Sequence, residues 1–167
     1  MEYNKEKIDE AKARAFDFYA KDQFVCSEAV LYTINGLLGN PLPPGSVRLA
    51  SGFGGGIGGS GNICGAVTGG VMALGLAFGR TAPGAGCPKL LPATRELLEW
   101  FDQRFGNSSC AVLTKKRGTF GGKDSERCGA MTGETAAKTM ELVFKYENMS
   151  APIVFLQRVR QAFGAIR

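Results

Sequence analysis

Apolar residues recur at three- and four-residue steps along most of this chain, and no stretch alternates with period two for long enough to demand a strand. Residues 5–21 set Ile8, Ala11, Ala15, Phe18 and Tyr19 among Lys, Glu, Asp and Arg, which predicts an amphipathic surface helix. Lys21-Asp22 breaks the pattern. A second helix is expected over 24–38, with Val30, Leu31, Ile34, Leu37 and Leu38 apolar, and the stiff turn from Gly39 to Gly45 ends it. Ser46 is placed to cap a short helical turn over 47–51. Further on, Pro92 opens a helix with Leu97, Leu98, Phe101 and Phe105 on one face, and Gly106 to Ser109 stops it. A short helix over 110–115, a basic glycine loop over 116–123, and a long helix capped by Asp124 or Ser125 and reaching Tyr146 follow. Ser150 and Pro152 start a last helix that turns Phe155, Leu156, Val159, Ala162 and Phe163 inward. The expectation is a single-domain, all-α bundle of about six or seven helices.

The segment between Arg48 and Arg80 contains no charged residue and holds 12 of the 24 glycines. Leu49, Phe53, Ile57, Ile63, Val67, Val71, Met72, Leu74, Leu76 and Phe78 are threaded through it, cargo that flexible Gly/Ser linkers lack. Its first part, 53–62, reads as loop. Its second, 63–79, reads as a helix buried all round and central to the bundle, with Gly65, Gly69, Ala73 and Ala77 forming a smooth ridge against which another helix can pack closely. Those 17 residues would extend about 25 Å against roughly 30 Å of hydrocarbon, so a core helix is favoured over a membrane span. The ridge could also serve a homodimer.

Composition narrows the chemistry. At 44% hydrophobic and 21% charged, the 167 residues suit a globular domain rather than a disordered chain. The net charge of +5 invites a nucleic-acid reading, but the only basic cluster, Lys115-Lys116-Arg117, has no aromatic residues interleaved for base stacking, and a solvated face is favoured. Histidine is absent, which removes Ser-His-Asp and Cys-His pairs and every His-ligated metal. The first residues carry mixed charges with no apolar run behind them, so the expected compartment is the cytoplasm, where thiols stay reduced. Gly54 to Gly59 satisfies G-x-G-x-x-G, yet no strand precedes it and the next acidic residue after Gly61 is Glu96, so a dinucleotide site is not expected. The loop could still cradle an anion with its N–H groups, or let backbone pass close to a cluster or a sulfur, which makes Gly54, Gly56 and Gly65 candidate binding positions. Glu96 and Glu99 read as surface charge.

Five cysteines remain: Cys26, Cys64, Cys87, Cys110 and Cys128, never closer than 18 residues and with no C-x-x-C. Cys64, Cys110 and Cys128 each fall in an expected first helical turn and Cys26 lies near another, where free N–H groups and the helix dipole favour a thiolate. Cys64, with the most glycine around it, is the expected attacking thiolate, and Cys87 sits apart in the loop 81–89. Cys64-Gly65-Ala66-Val67-Thr68-Gly69 recurs as Cys128-Gly129-Ala130-Met131-Thr132-Gly133, five identities in six. A glycine directly after a helix-start cysteine suggests that something approaches the sulfur closely.

Cys26-Ser27-Glu28-Ala29-Val30, the run Gly52-Phe53-Gly54-Gly55-Gly56-Ile57-Gly58 ahead of Cys64-Gly65-Ala66-Val67-Thr68-Gly69, and then Cys110 and Cys128 resemble the C_GCAxxG_C_C family of redox-active proteins. The resemblance runs from roughly Ala15 to Lys145, maps the four family cysteines onto Cys26, Cys64, Cys110 and Cys128, and leaves Cys87 without a counterpart. It implies redox activity with an unidentified redox partner. Three readings stay open: reversible thiol–disulfide exchange, with no cofactor; an iron–sulfur cluster or soft metal held by the same four cysteines in an electron carrier; or a helical interaction domain whose cysteines are simply buried.

Overall fold

The computed structural model describes residues 4–114 and 125–149. Six α-helices and one 3-10 helix make up the described residues, with no strand among them: α1 (Lys5–Ala20), α2 (Cys26–Leu37), the 3-10 helix (Ser46–Phe53), α3 (Gly65–Phe78), α4 (Leu90–Phe105), α5 (Cys110–Leu113) and α6 (Ser125–Asn148). The all-α expectation holds. The expected basic loop 116–123, the cluster Lys115-Lys116-Arg117, Asp124 and the expected last helix from Ser150 lie outside the described residues.

Asn4 caps α1 by accepting from the Lys7 N–H at 3.2 Å. Glu28 accepts from the Val25 N–H at the head of α2, three residues back, as the acidic half of a capping box does. The 3-10 helix is where local reading fails. Gly45, at φ +83°, takes the cap position and no side chain caps it, so Ser46 is its first residue and not its cap. Pro92 lies inside the first turn of α4, where its missing N–H costs nothing, and the helix begins two residues earlier. Gly106 at φ +83° ends α4, its N–H bonded to the Asp102 carbonyl.

The helix that touches α1, α2, α3 and α4 alike is α6, not α3. Its role is hidden in the sequence by Thr132, Thr135 and Thr139, which look polar but are fully buried. Each donates its hydroxyl to the carbonyl four residues back, at 2.8, 2.6 and 2.7 Å, so no polar atom goes unpaired. Around α6 the core gathers Phe101, Phe144, Ile34, Leu74, Leu97 and Met140, each fully buried and contributing about 1.5–3 kcal/mol. The α3 helix buries Gly65, Ala66, Val67, Gly69, Gly70, Ala73 and Leu74, leaves Thr68, Val71 and Met72 half-buried, and is half-buried from Gly75 onward, so it is not buried all round.

Two helix crossings bring backbone against side chain or backbone, and both use the repeated hexapeptide. A Cβ on Gly69 would lie 2.5 Å from the Ser27 carbonyl oxygen of α2, and one on Gly133 would lie 2.7 Å from the Lys12 carbonyl oxygen of α1. Gly65 and Gly69 of the α3 ridge thus pack on α2 within one chain. No helix among the described residues is long and apolar enough to cross a membrane.

Gly75 faces open space on the same helix. Gly69→Ala should therefore destabilise the protein by at least about 2 kcal/mol through overpacking, while Gly75→Ala should stabilise it by roughly 0.5–1 kcal/mol through helix propensity. Denaturant melts of the two variants check this; shifts of the same sign would contradict the packing described.

Candidate functional site

Four cysteines reach one region from four helix starts. Cys26 is the first residue of α2, Cys64 the residue that caps α3, Cys110 the first residue of α5, and Cys128 lies in the first turn of α6. Two of the starts are locked together by backbone. The Cys64 N–H donates to the Ser108 carbonyl at 2.8 Å and the Cys110 N–H donates to the Asn62 carbonyl at 2.7 Å, forming an antiparallel bridge between Ile63 and Ser109. The Cys26 sulfur rests directly against the Cα of Gly65, where a Cβ would overlap it.

The glycine loop completes this enclosure. Residues 55–59 all have positive φ, including Ile57 at 63°, a β-branched residue in a conformation that costs about 1–2 kcal/mol. Long-reach bonds hold the turn: Gly58 N–H to Gly52 O at 2.8 Å, Gly61 N–H to Gly55 O at 3.1 Å and Asn62 N–H to Gly56 O at 3.0 Å. A Cβ on Gly56 would fall 2.7 Å from both the Asn62 backbone and the Cys110 Cβ. The three candidate binding glycines thus abut the cysteine-bearing elements: Gly54 against the Val25 side chain, Gly56 against Cys110, Gly65 against Cys26.

The helix starts favour charge on the sulfurs, through the Ala66 and Val67 N–H groups at Cys64 and those of Gly55 and Ser27 at Cys26, although the Cys64 side chain makes no capping hydrogen bond. Burial nevertheless outweighs them. It pushes the Cys26 thiol up to about 11 and holds the Cys64 thiol, only 6% exposed, still higher. Burial also raises Cys110. The expectation that the helix start makes the Cys64 sulfur acidic is therefore corrected: folding has already taken that sulfur out of water, a charge on it goes without hydration, and two peptide dipoles do not offset the loss.

The four thiols feel one another. A charge on Cys26 or Cys110 opposes ionisation of Cys64, and a charge on Cys110 or Cys128 opposes ionisation of Cys26. Cys26 is thus coupled to all three of the others. Cys87, half-buried in the loop before Pro88, is a free thiol outside this set. No disulfide joins any of the five cysteines. Among the described residues no three Cys, Asp or Glu side chains are placed to hold a metal ion, so the four cysteines do not converge as a ligand set. Away from this region, Glu96 pairs with Lys145 at 2.7 Å and Lys138 at 3.7 Å, a surface role as expected.

Sequence reasoning missed one member. Tyr19, near the end of α1, is electrostatically coupled to Cys128, Cys26 and Cys110. Burial first, then those thiols, hold its phenol well above the usual range. Its helical spacing from Ala15 marks only an inward face; nothing local announces a polar partner more than a hundred residues away.

Fold and site together define an all-helical protein in which four cysteines gather at helix starts. A family model described as "Putative redox-active protein (C_GCAxxG_C_C)" matches residues 24–142, most of the chain, and the chain belongs to that family. No curated protein and no solved structure matches it.

Because burial raises the Cys26 and Cys64 thiols, the folded state keeps two protons that the unfolded chain releases above its ordinary cysteine values. Their contribution to stability is complete below about pH 8.5 and declines as pH rises through about 11. Melting temperature should fall over that interval, and more steeply than in a Cys26→Ala/Cys64→Ala variant. Equal slopes would contradict the burial argument.

Proposed function

We propose that the protein carries out reversible thiol–disulfide exchange, with Cys26 as the hub of the Cys26–Cys64–Cys110–Cys128 cluster. The observation that carries this reading is the gathering of four cysteines from four separate helix starts, with the Cys26 sulfur packed on Gly65 beside Cys64 and Cys110 packed on Gly56 of the glycine loop. Membership of a family described as redox-active supports it. The absence of histidine leaves thiols as the chemistry best supplied by this chain.

Entry falls to Cys110. It is half-buried, and it stands beside Val112 and Ile63, which are 59% and 42% exposed. As a thiolate it attacks a partner's disulfide, one S–S bond breaks, and a mixed disulfide forms with the partner's other sulfur leaving as thiolate. The Cys26 sulfur, its proton passed to that leaving thiolate, then attacks Cys110 and releases the partner as a dithiol. Two cysteine thiols are oxidised to one disulfide and one partner disulfide is reduced to two thiols, with no net change in protons. Cys64, expected to attack first, suits the inner position, since burial keeps it protonated. A reducing compartment such as the cytoplasm would keep the resting cluster as thiols.

The iron–sulfur or soft-metal alternative requires a convergence of sulfurs that the described residues do not provide. Thiol titration of unfolded protein decides the matter. Reduced protein should show five free thiols, and mildly oxidised protein at least two fewer, with no adduct mass and with Cys26 in a mapped bond. Five under both conditions would overturn exchange, and stoichiometric iron in anaerobically purified protein would favour the alternative.

A further inference from the structure

The head of α2 is tied to the 3-10 helix by two consecutive side chains. Ser27 Oγ, fully buried, donates to the Ala50 carbonyl at 2.8 Å. Glu28 divides its carboxylate: Oε2 accepts from the Val25 N–H at 3.0 Å, and Oε1 accepts from the Ser51 hydroxyl at 2.5 Å. One carboxylate thus joins the residue ahead of Cys26 to the 3-10 helix. Capping α2 needs the first of these bonds alone; the second reaches 23 residues along the chain and does nothing for the helix itself.

What the second bond holds lies two residues further on. The 3-10 helix ends at Phe53, whose carbonyl oxygen is 3.0 Å from where a Gly65 Cβ would stand, the same point that the Cys26 sulfur overlaps. A Cβ on Gly54 would meet Val25 Cγ2 at 3.2 Å, and one on Gly56 would meet the Cys110 Cβ at 2.7 Å. Residues 53–56 therefore form a wall with Cys26 at one end and Cys110 at the other. Its far end is pinned to α5 by backbone, through Cys110 N–H to Asn62 O and Ala111 N–H to Gly61 O. Its near end takes its side-chain bonds from Ser27 and Glu28.

We propose that Glu28 is a positioning residue for the Cys26–Cys110 pair: by bridging Val25 and Ser51 it holds the wall against which both cysteines pack. The role rests on the exchange reading, with Cys110 attacking first and Cys26 second. In that second step the Cys26 sulfur attacks the Cys110 sulfur of the mixed disulfide. The Cys26–Cys110 bond forms, the bond to the partner breaks, and the electron pair leaves on the partner's sulfur. Glu28 takes no proton and makes no bond in it; it narrows the range of arrangements from which the attack starts.

Two readouts of opposite sign test this in the full-length protein. Ser51→Ala removes the wall bond and leaves the α2 cap, and Glu28→Ala removes both. Glu28→Gln keeps both, its carbonyl accepting from the Val25 N–H and its amide donating to the Ser51 hydroxyl oxygen. In reduced protein, alkylation is read cysteine by cysteine by mass spectrometry. The Cys26 rate should rise about three- to tenfold in the two Ala variants, the worth of one exposed hydrogen bond to a charged group. It should stay at the parent rate in Glu28→Gln, and Cys87 should not change. With a small aromatic disulfide as the partner, the first thiolate released reports attack by Cys110 and the second reports attack by Cys26. Ser51→Ala should leave the first release unchanged and slow the second by a similar factor. An unchanged Cys26 alkylation rate, a uniform rise at all five cysteines, or a second release as fast as the parent's overturns the proposal. Ser51→Ala decides the matter if Glu28→Ala fails to fold. If Cys26 alkylation shifts as expected but the parent protein releases no second thiolate, the exchange reading fails while the Glu28 bridge over Cys26 stands.

Discussion

The structure depends on helices meeting where side chains are missing. Gly65 and Gly69 let α3 lie on α2 so closely that Cys26 Sγ and the Ser27 backbone occupy the space of two β-carbons. Gly129 and Gly133 do the same for α6 on α1. The repeated Cys-Gly-Ala-x-Thr-Gly is thus one packing device used twice, and in each case the cysteine sits at the end of the crossing. Closing the crossings and assembling the thiols are the same physical event.

That arrangement sets two electrostatic effects against each other. Helix starts aim N–H groups at sulfur, which favours charge, while the close packing that positions those groups excludes water, which disfavours it. At Cys64 and Cys26 the second effect prevails. A helix start promotes a reactive thiolate only when the sulfur also keeps a share of solvent, and in this cluster Cys110 comes nearer to that condition than Cys64 does.

Much of this was legible in the residues. Periodicity located α1, α2, α4 and α6 because each carries a continuous apolar stripe, and helix-start patterns put all four family cysteines where the structure has them. What escaped notice depends on distant parts of the chain. The buried threonines of α6 are satisfied by its own backbone, so their polarity misleads. The Ile63–Ser109 bridge joins residues 46 apart that have no pattern in common. Tyr19 looks like any inward aromatic until α6 is laid beside it. The sign of the thiol shift needed a burial value, which sequence position alone does not supply.

The turn over residues 55–59, together with Gly61, has a genetic consequence. Gly55, Gly56, Gly58, Gly59 and Gly61 hold backbone angles that L-side chains rarely adopt, and three of them also face atoms closer than a β-carbon tolerates. Almost any missense change in that short coding interval strains the wall of the thiol chamber without touching a cysteine. The mutational target for silencing this site is therefore much larger than its chemistry, and its most fragile stretch contains no reactive group at all.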